Sequence, residues 1–159
     1  GQTTAWHTFG VNGIRLGALL SELETAELPD ADVVLLSMGV NDTTGFTLRF
    51  RFRQQLRALR RLLAMRYSGP ILLLSVPPMH LFTALPSPLR YVMGWRARQL
   101  DNLYIRLAQQ FPEDFTYLDY PVVTDPALLA ADGYHPGQRG YRYIAEALAD
   151  RVSPAKRPG

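Results

Sequence analysis

Two rhythms of apolar residues divide this chain. Continuous short runs at residues 32–38 (DVVLLSM), 71–76 (ILLLSV) and 115–119 (FTYLD) predict strands buried on both faces of a parallel sheet. Between them the spacing changes to threes and fours. Phe52, Leu56, Leu59 and Leu63 predict a helix over 47–67, ended by Ser68-Gly69-Pro70. Leu100, Leu103, Leu107 and Phe111 predict a second helix beginning near Leu89, and Tyr141, Ile144, Ala145, Leu148 and Val152 a third. Upstream, residues 4–11 (TAWHTFGV) alternate loosely and read as a short strand stopped by the turn pair Asn12-Gly13. Residues 14–23 follow as a short helix with Ile14, Ala18 and Leu19 on one face. Residues 79–89 hold two prolines, Pro86 and Pro88, and read as a loop, one that could face the substrate.

Strands alternating with helices over 159 residues predict one α/β domain with a parallel sheet. The expected limits are 1–152 for the domain and 153–159 for a flexible, Pro- and charge-rich tail. In such sheets ligands bind outside the carboxyl ends of the strands. Gly13, the run Gly39-Val40-Asn41-Asp42, Pro77 and the run Asp132-Gly133-Tyr134-His135-Pro136 each follow a predicted strand, so all are expected on one edge.

Composition narrows the function less than the pattern does. A 47% hydrophobic and 19% charged chain is ordinary for a globular protein. No apolar run reaches the roughly 20 residues that span a bilayer, so no membrane span is expected. With no Cys there is no disulfide, thiolate metal site or cysteine nucleophile, and the compartment is left open. The net charge of +3 is carried almost wholly by Arg, Lys156 being the only lysine, and much of it lies between Arg49 and Arg66. A solvated helix face accounts for that segment better than nucleic-acid binding does.

The chemistry concentrates in Asp132 and His135, a carboxylate three residues before an imidazole at a loop-to-helix boundary. Such a pair serves as orienter and base in nucleophilic catalysis, and equally as a helix cap beside an exposed ring. Together with Gly13 and the Gly39–Asp42 run, it makes the chain resemble the SGNH hydrolases, also called GDSL esterases and lipases, over its whole length. The resemblance implies a three-layer α/β/α, flavodoxin-like fold and a serine ester hydrolase acting through an acyl-enzyme on a small-molecule ester. It implies His135 as general base, Asp132 as its orienter, and Gly13 and Asn41 as oxyanion-hole donors, with Gly39 and Asp42 completing the motif. No metal or organic cofactor is implied. The loop at 79–89 with Trp95 would line an apolar acyl pocket, or simply pack.

The family's first block, a Gly-Asp-Ser on the opening strand, is absent, and residues 1–12 contain no Ser. The nucleophile is therefore not identified in this chain, and the central strand is missing from the expected sheet. Three arrangements meet the gap: an amino-terminal segment outside this chain, a closed-up sheet or second copy of the chain that supplies the pairing, or recruitment of Ser37 or Ser75. The first is the expectation adopted, because both serines lie in apolar runs and read as buried hydroxyls bonded to backbone. A non-catalytic remnant of the fold, serving as a binding module, is the alternative.

Overall fold

In the computed structural model, residues 5, 7–123, 125–132 and 135–152 are described, the last two without their side chains. The three apolar runs form parallel strands β1 (Val34–Ser37), β2 (Ile71–Leu74) and β3 (Phe115–Leu118), in the order β1-β2-β3. The register is flush: Val34 pairs with Ile71 and Ile71 with Phe115, while Ser37, Leu74 and Leu118 form the last row. All three carboxyl ends therefore finish at one level.

The helices are α1 (Leu16–Thr25), α2 (Val40–Thr44), α3 (Arg49–Arg66), α4 (Leu89–Gln110) and α5 (Gln138–Val152). Alternation along β2 explains the layers. Ile71 and Leu73 face the main core, shared with Phe52, Leu56, Leu100 and Tyr104 from α3 and α4. Leu72 and Leu74 point the other way, into a small cluster with Leu118 that Leu148 of α5 covers. Helices thus lie on both sides of the sheet, with the larger core on the α1, α3 and α4 side. Each fully buried Leu of this core contributes roughly 1.5–3 kcal/mol of transfer free energy.

Several expectations need correction. Residues 5 and 7–11 form no strand and are exposed, while positions 4 and 6 lie outside the described residues. A strand persists only where a neighbour takes its N–H and C=O groups, and no described strand borders that segment. The first helix starts later than its spacing suggested and buries Leu16, Leu19 and Leu23, whereas Ala18 is exposed. Only β2 is buried along its full length; β1 and β3 flank it and are partly open. The loop at 79–89 begins with a single turn, Met79–Leu81, whose Met79 is core, and Phe82 and Leu85 pack against that core. In α5, Ile144 is buried but Tyr141 and Ala145 face solvent. The tail expected over 153–159 and the Val152 side chain lie outside the described residues.

Candidate functional site

The run Gly39–Asp42 sits at the carboxyl edge, because it directly follows β1, which ends in the flush last row. Past β1 the chain turns at Gly39, which has φ +117 and precedes the short helix α2. A side chain there would be strained twice over, since a β-carbon would lie 2.6 Å from Val76 Cγ2. This tight passage sends Asn41 and Asp42 back toward α1.

Asn41 lies inside α2 and does not cap it; its Nδ2 donates to the Ile14 carbonyl at 3.1 Å. An amide nitrogen carries two hydrogens, so one donor remains for another acceptor. Asp42 is wholly buried. Its Oδ2 accepts the Leu16 N–H at 2.9 Å and its Oδ1 accepts the Thr47 hydroxyl at 2.8 Å. It therefore fastens the first turn of α1 to the approach to α3, a structural task. Gly13 is exposed, has φ +77 in the turn just before α1, and has open space around it. Asn41 and Asp42 thus hold the backbone immediately after Gly13. A cleft of about 500 Å³ opens beside them, bordered by Gly13, Arg15, Asp42, Phe46, Leu48 and Arg51.

Ahead of α5, Asp132 and His135 pair with each other. Asp132 Oδ1 accepts the His135 backbone N–H at 3.0 Å, and Oδ2 lies 2.7 Å from the ring Nδ1. One carboxylate therefore fixes both the loop and the ring. Both side chains are open to solvent, at 63% for His135 and 50% for Asp132. With Nδ1 on the Asp132 carboxylate, Nε2 is the ring nitrogen turned away from it. Gly133 and Tyr134, between them, lie outside the described residues. The structure thus shows the candidates as two groups, Gly13-Asn41-Asp42 after β1 and Asp132-His135 ahead of α5.

The two sheet serines differ. Ser75 is buried, and its Oγ accepts the Tyr120 N–H at 2.7 Å, as expected of a hydroxyl spent on backbone. Ser37 departs from expectation and is exposed, because it ends β1, whose outer edge has no partner strand among the described residues.

Sequence reading missed a polar support beneath this edge, carried by α4 and β3. Asp101 accepts the Val76 N–H at 2.9 Å and the Tyr117 hydroxyl at 2.7 Å. Fully buried Tyr104 donates to the Met38 carbonyl at 3.2 Å. The loops leaving β1 and β2 are both anchored this way. Burial raises the Asp101 carboxyl above the usual carboxylate range, against the lowering effect of its two hydrogen bonds. Burial first, and then the Asp101 hydrogen bond, raise the Tyr117 phenol; burial and the nearby Asp42 carboxylate raise Tyr104. Both phenols therefore stay neutral donors. The available signal was a polar pair, Asp101 and Tyr104, set into the apolar stripe Leu100, Leu103 and Leu107.

Among the described residues no cluster of His, Asp or Glu is arranged to hold a metal ion, and no helix is long and apolar enough to cross a membrane.

The architecture is similar to that of AlinE4, an SGNH-hydrolase family esterase. The TM-score is 0.58 at 22% identity, over 94% of this chain and 75% of that one. A serine-to-alanine variant of the same esterase matches with the same values. An aspartate-to-alanine variant matches at 21% identity with the same TM-score and coverage. At that identity the likeness speaks for the fold. No curated protein matches the chain in sequence. Residues 1–143 match the model of the GDSL-like lipase/acylhydrolase family. The chain belongs to the GDSL-like lipase/acylhydrolase family and is, by that membership, an esterase-type hydrolase of carboxylic esters.

Proposed function

We propose that residues 1–152 act as one domain carrying the base and oxyanion donors of a serine esterase that works through an acyl-enzyme. A serine Oγ adds to the ester carbonyl carbon while His135 Nε2 takes its proton. The tetrahedral intermediate then collapses, the bond between the carbonyl carbon and the alkoxy oxygen breaks, and the alcohol leaves with that proton returned from His135. Water repeats the sequence on the acyl-serine. Asp132 orients the ring and stabilises the imidazolium. The Asn41 amide and the Gly13 N–H stabilise the oxyanion, each donor being worth roughly 2.7–4 kcal/mol in such sites.

The observation that supports this reading most is the 2.7 Å contact between Asp132 Oδ2 and His135 Nδ1, the arrangement by which a carboxylate orients an imidazole base. The attacking serine belongs to a segment outside these 159 residues that also pairs with the outer edge of β1. The absence of a strand partner on that edge among the described residues favours this over recruitment of Ser75, whose hydroxyl already serves the Tyr120 N–H.

Turnover of short-chain carboxylic esters by the protein carrying the segment that supplies the serine, compared with His135→Ala in the same protein, tests the base: loss of turnover is expected, and unchanged turnover refutes the assignment. Labelling with a fluorophosphonate followed by peptide mass spectrometry locates the nucleophile. An adduct on Ser37 or Ser75 overturns the outside-serine reading.

A further inference from the structure

The helix α3 has no acidic residue along its 18 positions. Its inner side buries Phe52, Leu56, Leu59, Leu62 and Leu63. The opposite side advances by three or four residues through Phe50, Arg53, Arg57, Arg61 and Met65, all of them exposed. Arg60 is paired with Asp114 at 2.8 Å, and Arg66 donates to the Ala26 and Glu24 carbonyls. Arg49, Arg51, Arg53, Arg57 and Arg61 meet no carboxylate among the described residues. The result is a cationic strip without counter-charge.

Large apolar side chains stand among these arginines. Phe46 is 56% exposed, Leu48 and Phe50 are each 54% exposed, and Met65 is 82% exposed. Phe46 is a non-glycine residue in the left-handed region at φ +57. Such outliers persist where the surroundings hold them, and they cluster at functional segments. Here the support is Arg96 of α4, which donates to the Thr43 and Thr47 carbonyls at 3.2 Å each and stacks 4.7 Å from the Phe46 ring. The turn is thus held with its apolar residues facing solvent.

We propose that this strip and the apolar turn before it form a docking surface for an anionic lipid bilayer. The guanidinium groups of Arg53, Arg57 and Arg61 engage lipid phosphates, whose charge they complement. Phe46, Leu48 and Phe50 enter the boundary between headgroups and acyl chains, as the apolar residues of interfacial segments do. A nucleic acid would satisfy the arginines equally well but offers Leu48 and Met65 no apolar partner. The turn also borders the cleft beside Gly13, so an ester drawn from the bilayer would enter there. That consequence rests on the esterase reading, whereas the docking does not and is measured without turnover.

Co-sedimentation of the full chain with vesicles tests it. Binding is expected to equimolar phosphatidylglycerol–phosphatidylcholine vesicles and not to phosphatidylcholine alone, and to weaken as salt is raised from about 0.1 M to about 1 M. Each basic residue near such a surface contributes on a scale that makes the triple variant Arg53→Gln, Arg57→Gln, Arg61→Gln bind roughly a hundredfold more weakly. The double variant Leu48→Ser, Phe50→Ser should retain the salt dependence and lose several-fold in partitioning. Unchanged far-ultraviolet circular dichroism in each variant shows that the fold is kept. The proposal is overturned by absent vesicle binding, by equal binding to the zwitterionic vesicles, or by equal binding of the triple variant. Binding of short duplex DNA or RNA without vesicle partitioning overturns it too, and reassigns the strip to nucleic acid.

Discussion

Asp42 Oδ2 accepts the backbone N–H of Leu16 at 2.9 Å, across twenty-six residues of sequence and with the carboxylate fully buried. The same side chain takes the Thr47 hydroxyl, so one residue joins the start of α1, the turn after β1 and the approach to α3. Asp42→Ala leaves a buried N–H and a hydroxyl without their acceptor. Hydrogen bonds to a charged group are each worth roughly 1.5–3 kcal/mol. For the two bonds together a loss of about 3–6 kcal/mol is expected in urea unfolding, and a change below about 0.5 kcal/mol would contradict the role given to Asp42.

Gly39 is fixed by geometry. Its φ of +117 and the 2.6 Å approach of Val76 Cγ2 to any added β-carbon make Gly39→Ala destabilising by roughly 1–3 kcal/mol. Gly13 has a positive φ too but open space around it. Gly13→Ala should therefore cost less stability than Gly39→Ala, and thermal unfolding of the two variants under one buffer compares them directly.

If Asn41 is an oxyanion donor, Asn41→Ala lowers kcat by about a hundred- to a thousandfold with a small change in KM. Asn41 also holds the Ile14 carbonyl, so a purely structural role would show instead as lost stability with kcat nearly kept. Asp132→Asn should lower kcat by up to about ten-thousandfold, since an amide favours the wrong imidazole tautomer. Steady-state kinetics beside melting curves separates the two roles.

Asp101 carries a pH signature opposite to that of most carboxylates. Burial, the leading cause, raises its pKa above the ordinary 3.8. The folded state therefore holds this proton more tightly than the unfolded chain does. The corresponding stability is fully present below the unfolded value and is lost as pH rises through the folded value. Asp101→Asn removes that loss, so the difference in stability between wild type and variant should shift against the wild type as pH rises above about 3.8. Urea unfolding at a series of pH values measures it. A difference that does not vary with pH, or that moves toward the wild type, would refute the assignment.

The pattern of apolar residues determined the order of strands and helices, since buried strands and amphipathic helices have different periods and the helix limits fell close to Arg49–Arg66 and Leu89–Gln110. It also singled out Asp132 with His135 as a pair, because three residues across one turn bring a carboxylate to an imidazole by local geometry. Tertiary structure decided what depends on neighbours distant in sequence. Residues 7–11 form no strand because no described strand takes their backbone groups, and Ser37 is exposed because β1 lies at an edge. Asp42 became a buried tie rather than a second polar group of the site, since its partners Leu16 and Thr47 belong to other elements. The support from Asp101, Tyr104 and Tyr117 appears only once α4 packs on the sheet, because hydrogen bonds of that kind are set by packing and not by spacing along the chain.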